Sequence, residues 1–142
     1  MGYIFAIIAG ASMSIQGVMN TRLSDKVGLF ASNAYVQGTA FLLSLIALFF
    51  VKDLSLKGFG VVNKWYLLGG VFGLIITITV MLSVKTLSPV IAISVILVSQ
   101  LLCAAIIDSF GIMDSEKIAF TWNKYLGLIA MIGGVVLFKW KV

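Results

Sequence analysis

The chain has 142 residues and a net charge of +5; apolar residues make up 61%, charged residues 11%, and the mean hydropathy is +1.16. A soluble domain carries about 25% charged residues, so this chain cannot cover itself in water and its expected solvent is a lipid bilayer. One cysteine, Cys103, and no histidine exclude an internal disulfide, a Cys/His metal centre and histidine-based catalysis.

The length fits one domain, residues 1–142. The N-terminus lacks the positive flank of a cleavable signal, so Met1 is expected to stay. About 20 apolar residues cross a hydrocarbon core, and five segments meet that template: 3–21, 33–51, 65–84, 89–107 and 124–138. Their runs are continuous rather than alternating, which points to helices and away from a barrel.

In the first segment Ser12, Gln16 and Asn20 recur every four residues and share one face. The second carries Asn33, Gln37 and Ser44. The third holds Gly69 and Gly73, a G-x-x-x-G pair suited to close helix packing, together with Thr77 and Thr79, whose hydroxyls can bond their own helix. The fourth begins at Pro89, where a missing N–H costs nothing, and places Gln100 eight residues before Asp108. The fifth is short between Lys124 and Lys139, so its lysines must snorkel. Gly127, Ala130, Gly133 and Gly134 give it a small-residue face for packing or dimerisation. Between the last two segments, residues 108–123 alternate apolar and polar and are expected to hug the interface.

Amides inside a membrane have two readings. They are interhelical hydrogen-bond glue, or they line a pathway and meet a substrate. No Asp, Glu, Lys or Arg stands mid-span, so an embedded, tunable carboxylate is lacking; Asp108, at the mouth of the fourth segment, is the one coupling candidate. No carboxylate pair or activated nucleophile points to an enzyme, and no basic stripe interleaved with aromatics points to nucleic acid.

Orientation follows the Lys/Arg bias between alternate loops. The side of the N-terminus holds Lys52, Lys57, Lys64, Lys117 and Lys124; the opposite side holds Arg22, Lys26, Lys85, Lys139 and Lys141. Five against five gives the insertion machinery little to choose by. The expectation is dual topology, with copies inserted both ways, against the alternative of a weak bias fixed by one lysine or a partner chain.

The stretches "IAGASMSIQGVMNTRL", "SPVIAISVILVSQLLCAAIIDSFG" and "GLIAMIGGVVLF" resemble the drug/metabolite transporter superfamily, and more narrowly its small five-helix, YdcZ-like branch. The most specific parts are Gln16, Gly17 and Asn20, and Gln100 with Asp108, Phe110 and Gly111. The resemblance implies an inner-membrane, multi-pass transporter of small molecules that works as an antiparallel pair. The chain departs from the four-helix multidrug relatives, which use a first-helix glutamate where Gln16 stands here.

The expected protein is therefore an all-α integral membrane domain of five helices, ten in an antiparallel dimer. Its partners are the bilayer, a small-molecule substrate and a second copy or a paralogous chain. Gln16, Asn20, Ser12, Gln37, Asn33 and Gln100 are its candidate pathway. A passive channel or an accessory subunit is the alternative, and no cofactor is expected.

Overall fold

In hydrocarbon every backbone N–H and C=O must find its partner within the chain, and a helix does this locally. The computed structural model describes residues 1–50 and 58–140, and among these the regular elements are all helical. They are α1 (Gly2–Val27), α2 (Leu29–Leu48), a four-residue α3 (Gly58–Val61), a 3-10 turn (Lys64–Leu68), α4 (Gly69–Thr86), α5 (Pro89–Phe110), a second 3-10 turn (Ile112–Asp114) and α6 (Trp122–Lys139). The expected end of the second segment at Val51, the charges Lys52, Asp53, Lys57 and Lys141, and Val142 lie outside the described residues.

Among the described residues four helices are long and apolar enough to cross a membrane: α1, α2, the continuous stretch from Lys64 through α4, and α5. The fifth expected segment is present as α6, with 18 residues, but Asn123, Lys124 and Lys139 lie inside it and its apolar run falls short of that standard.

The helices outrun their apolar cores. α1 continues six residues past Thr21, through Arg22, Asp25 and Lys26, and α2 starts four residues before Asn33. The loop expected between them is one residue, Gly28. Its φ of 88° and ψ of 158° lie where only glycine is comfortable. Around it the helices stay bonded: the Gly28 N–H donates to the Ser24 carbonyl at 2.9 Å, and the Ser32 N–H donates to the Gly28 carbonyl at 3.0 Å. A cluster of charges marks the membrane surface but does not stop a helix, because water satisfies the side chains there. α5 starts as expected, with Pro89 in its first turn and the Ser88 hydroxyl accepting from the Ile91 N–H. It ends at Gly111, left-handed at φ 64°.

The chain divides into two compact units, Met1–Lys85 and Thr86–Val142. In the first, α1 and α2 form a hairpin against which α4 packs through Val80 and Met81. In the second, α5 and α6 pair.

Candidate functional site

The first unit has a buried interior that is more polar than apolar. Met81 and Val84 are buried, and so are Asn20, Thr21, Ser24, Ser32 and Asn33. On α1, Gly17, Asn20, Thr21 and Ser24 follow the i, i+3, i+4, i+7 rhythm of one helix face, and all four are buried. Gly17 lets α4 approach: a Cβ there would stand 3.1 Å from Val80 Cγ1.

Most of the hydroxyls are satisfied locally. Thr21 Oγ1 donates to the Gly17 carbonyl at 2.7 Å, and Ser24 Oγ to the Thr21 carbonyl at 2.7 Å. Thr77 donates to the Gly73 carbonyl and Thr79 to the Ile75 carbonyl, both at 2.8 Å, as their type suggested. Ser44, placed on the second stripe by spacing, donates to the Ala40 carbonyl at 2.8 Å and is exposed. Ser32 is different, because it ties elements together. Its hydroxyl lies 3.2 Å from the Asn20 carbonyl and 3.6 Å from Met81 Sδ, joining α2 to α1 and α4.

The amides fall into three states. Gln37 Nε2 donates across to Thr77 Oγ1 at 3.4 Å, linking α2 to α4 beside Gly73. Asn20 and Asn33 are buried, and the Asn33 Oδ1 acceptor has no partner among the described residues. Gln16 and Gln100 are exposed, as is Ser12. The expected stripe on α1 is thus split: its Asn20 end enters the interior, and its Gln16 and Ser12 end faces outward.

Depth along each helix sorts the same residues. At about 1.5 Å of rise per residue, Gln16, Gln37 and Gln100 each lie within roughly 3 Å of the midpoint of their own helices. Asn20 and Asn33 lie about 8 Å from the midpoints of α1 and α2, both toward the Gly28 turn. Asp25, at the same end of α1, pairs with Lys85 at the end of α4, with Nζ to Oδ1 at 2.9 Å.

In the second unit α5 and α6 enclose an open cleft of about 280 Å³ lined by Leu101, Ala104, Ala105, Asp108, Phe120, Lys124 and Gly127. Among the described residues of the second unit nothing stands within 4 Å of a Cβ added at Gly127, Gly133 or Gly134, and Ala130 is exposed, so the small face of α6 is unfilled within its own unit. In the first unit Gly69 is equally open, while Gly73 packs against Gln37. Among the described residues no group of three His, Cys, Asp or Glu side chains could hold a metal ion.

Sequence reasoning missed Ser32, Thr21 and Ser24 as interior residues. The signal was available on α1, where Gly17 opens a helical face of small and polar residues. For Ser32 there was none, because the loop expected before Asn33 hid it.

Residues 1–137 match the family described as "Putative inner membrane exporter, YdcZ". No curated protein and no solved structure matches the chain. The chain belongs to that exporter family and is a multi-pass protein of the inner membrane.

Proposed function

We propose that this member of the YdcZ exporter family is a small-molecule transporter built from two antiparallel copies. Each copy is one domain of five membrane-spanning helices, and the pair works by alternating access. The observation that carries the reading is the placement of Gln16 and Gln100: exposed amides at the midpoints of long apolar helices. An amide left unpaired in hydrocarbon costs roughly 2–7 kcal/mol, so these groups call for a polar partner outside their own helix. A two-fold axis in the membrane plane sends mid-depth to mid-depth. An inverted second copy therefore brings its own Gln16 toward the first copy's Gln16, and its own Gln100 toward the first copy's Gln100, near the level where transporters hold their substrates. Asn20 and Asn33, displaced toward the Gly28 turn, serve as a second station on the path, and Ser12 lies on the outward face with Gln16. Gln37 holds α2 to α4.

α6 is the fifth span in this reading. Its 18 residues reach about 27 Å, close to the roughly 30 Å core. Lys124 and Lys139 snorkel at its two ends. If α6 lay on the surface instead, Lys139 and Lys141 would change sides and the lysine and arginine count would become seven against three. The chain would then insert one way only. The open small-residue face of α6 supplies the dimer contact.

Orientation tests this directly. In a Cys103→Ala chain, a single cysteine at Ser55 or at Val142 is labelled with an impermeant thiol reagent in intact cells. Half labelling at both positions, completed on permeabilisation, is the expected result. All-or-none labelling refutes dual topology, and labelling of both cysteines on one side refutes a spanning α6. Transport is read in proteoliposomes loaded with a small-metabolite extract and analysed by mass spectrometry. The wild type is expected to lose particular solutes and a Gln16→Leu chain to retain them while still dimerising. Equal loss from protein-free liposomes refutes transport, and a Gln16→Leu chain that fails to dimerise assigns Gln16 to assembly.

A further inference from the structure

The cleft between α5 and α6 is bipolar. Asp108 stands in the last turn of α5, where the helix end already carries partial negative charge. Lys124 stands in the first turn of α6, where the helix end carries partial positive charge. Each side chain is on the end that disfavours it, so each reinforces the local sign instead of neutralising it. Both line the same cleft of about 280 Å³, and no ion pair joins them. Lys124 Nζ instead reaches the Ala119 carbonyl at 3.4 Å and stands 5.8 Å from the centroid of the Phe120 ring.

The surroundings place the cleft at headgroup level. Its floor is apolar, formed by Leu101, Ala104, Ala105 and Gly127. Phe120 forms a wall, held edge-on against Tyr125 with ring centroids 4.5 Å apart. Trp122 and Tyr125 are exposed at the same end of α6, the pattern of residues at a membrane–water interface. The connection folds back onto the end of α5, where the Ile118 N–H donates to the Asp108 carbonyl at 2.9 Å. That return needs Gly111: its φ is 64°, and a Cβ would stand 3.2 Å from the Ser115 carbonyl oxygen.

We propose that this cleft binds the zwitterionic headgroup of a phosphatidylethanolamine lipid. The lipid ammonium meets Asp108 and the negative end of α5. The phosphate meets Lys124 and the positive end of α6. The ammonium is a hydrogen-bond donor, which a choline headgroup is not, and an anionic glycerol headgroup leaves Asp108 without a partner.

The test uses the full-length protein in detergent with phosphatidylethanolamine, phosphatidylglycerol and phosphatidylcholine of identical acyl chains, with bound lipid counted by native mass spectrometry. The ethanolamine lipid is expected to bind best, by roughly tenfold if one charge-assisted hydrogen bond decides the preference. Asp108→Asn is expected to erase the preference, Lys124→Gln to weaken binding of both phosphatidylethanolamine and phosphatidylglycerol, and Lys85→Gln to change nothing. Equal binding of the three lipids by the wild type overturns the proposal without recourse to any variant, and so does a preference that survives Asp108→Asn. Binding of soluble O-phosphoethanolamine as tight as that of the whole lipid would assign the cleft to a free zwitterion and overturn the lipid assignment.

Discussion

Gln37 and Thr77 give a measurable handle on the difference between glue and pathway. The Thr77 hydroxyl donates to Gly73 in its own helix at 2.8 Å and accepts from Gln37 Nε2 at 3.4 Å. Replacing Gln37 by methionine conserves volume and leaves Thr77 its own-helix bond, so the cost should stay below about 1 kcal/mol. Replacing Thr77 by valine leaves the Gln37 amide without that partner, but the amide is half-buried and can turn toward other donors and acceptors, so the loss should stay within the range of an interhelical bond, about 0.6–1.7 kcal/mol. The two changes together remove donor and acceptor at once, so the double variant should cost less than the two single changes summed. Interhelical hydrogen bonds in membranes average about 0.6 kcal/mol and reach about 1.7. The 3.4 Å separation is long, so a coupling near the lower figure is expected, a factor of roughly three in the folded ratio. Reversible unfolding in mixed micelles, followed by tryptophan fluorescence, measures all four corners of the cycle. Additive costs with no coupling would refute the bond. Loss of metabolite transport in Gln37→Met at unchanged stability would place Gln37 in the pathway instead.

The remaining predictions address other parts of the fold. Gly28→Ala meets no atom within 4 Å, so its whole cost is backbone strain, about 1–3 kcal/mol; Gly10→Ala, in equally open space within a helix, should show none of it in the same unfolding assay. Gly17→Leu drives a side chain into Val80 and should lower stability by about 1–3 kcal/mol, with Val80→Ala restoring part of the loss. Asn33→Leu removes the unpartnered buried Oδ1 and should leave stability unchanged or raised, while transport falls if Asn33 is a station on the path; a large loss of stability would show that Asn33 is bonded after all. Two lysines added after Lys64 should drive the labelling of a single cysteine at Ser55 from half to all-or-none, because a balanced charge count is tipped by few charges.

Four of the five expected spans were legible because length and hydropathy suffice to mark them; the fifth, α6, is a helix whose apolar run falls short of the same standard. The rotation of each helix was not legible. A soluble helix declares its buried face by a polar stripe opposite an apolar one, but α1 is apolar almost all round, since lipid and neighbouring helices are equally greasy. Spacing therefore placed Ser12, Gln16 and Asn20 on one face without saying what that face met. The structure buries Asn20 and leaves Gln16 outside. The Gly28 turn was obscured for a related reason: charges were read as a loop, although only the positive φ of one glycine breaks the helix.

This limit has a consequence for where function sits. In a membrane helix, packing needs small residues, and polar ones are kept where something repays their desolvation. The first unit repays Asn20 and Ser32 with burial among other polar groups, and Gln37 with Thr77. Nothing within their own helices repays Gln16 and Gln100. An exposed mid-depth amide is disfavoured in a lone chain, and it becomes tolerable in an assembly that encloses water, substrate or a second amide. The cost is the same whether the second copy is parallel or inverted. Only inversion, however, makes the two faces of the membrane equivalent for the amides, so one set of side chains can serve an inward-open and an outward-open state. The inverted pair proposed above would meet that requirement, by an argument separate from the charge count that governs insertion.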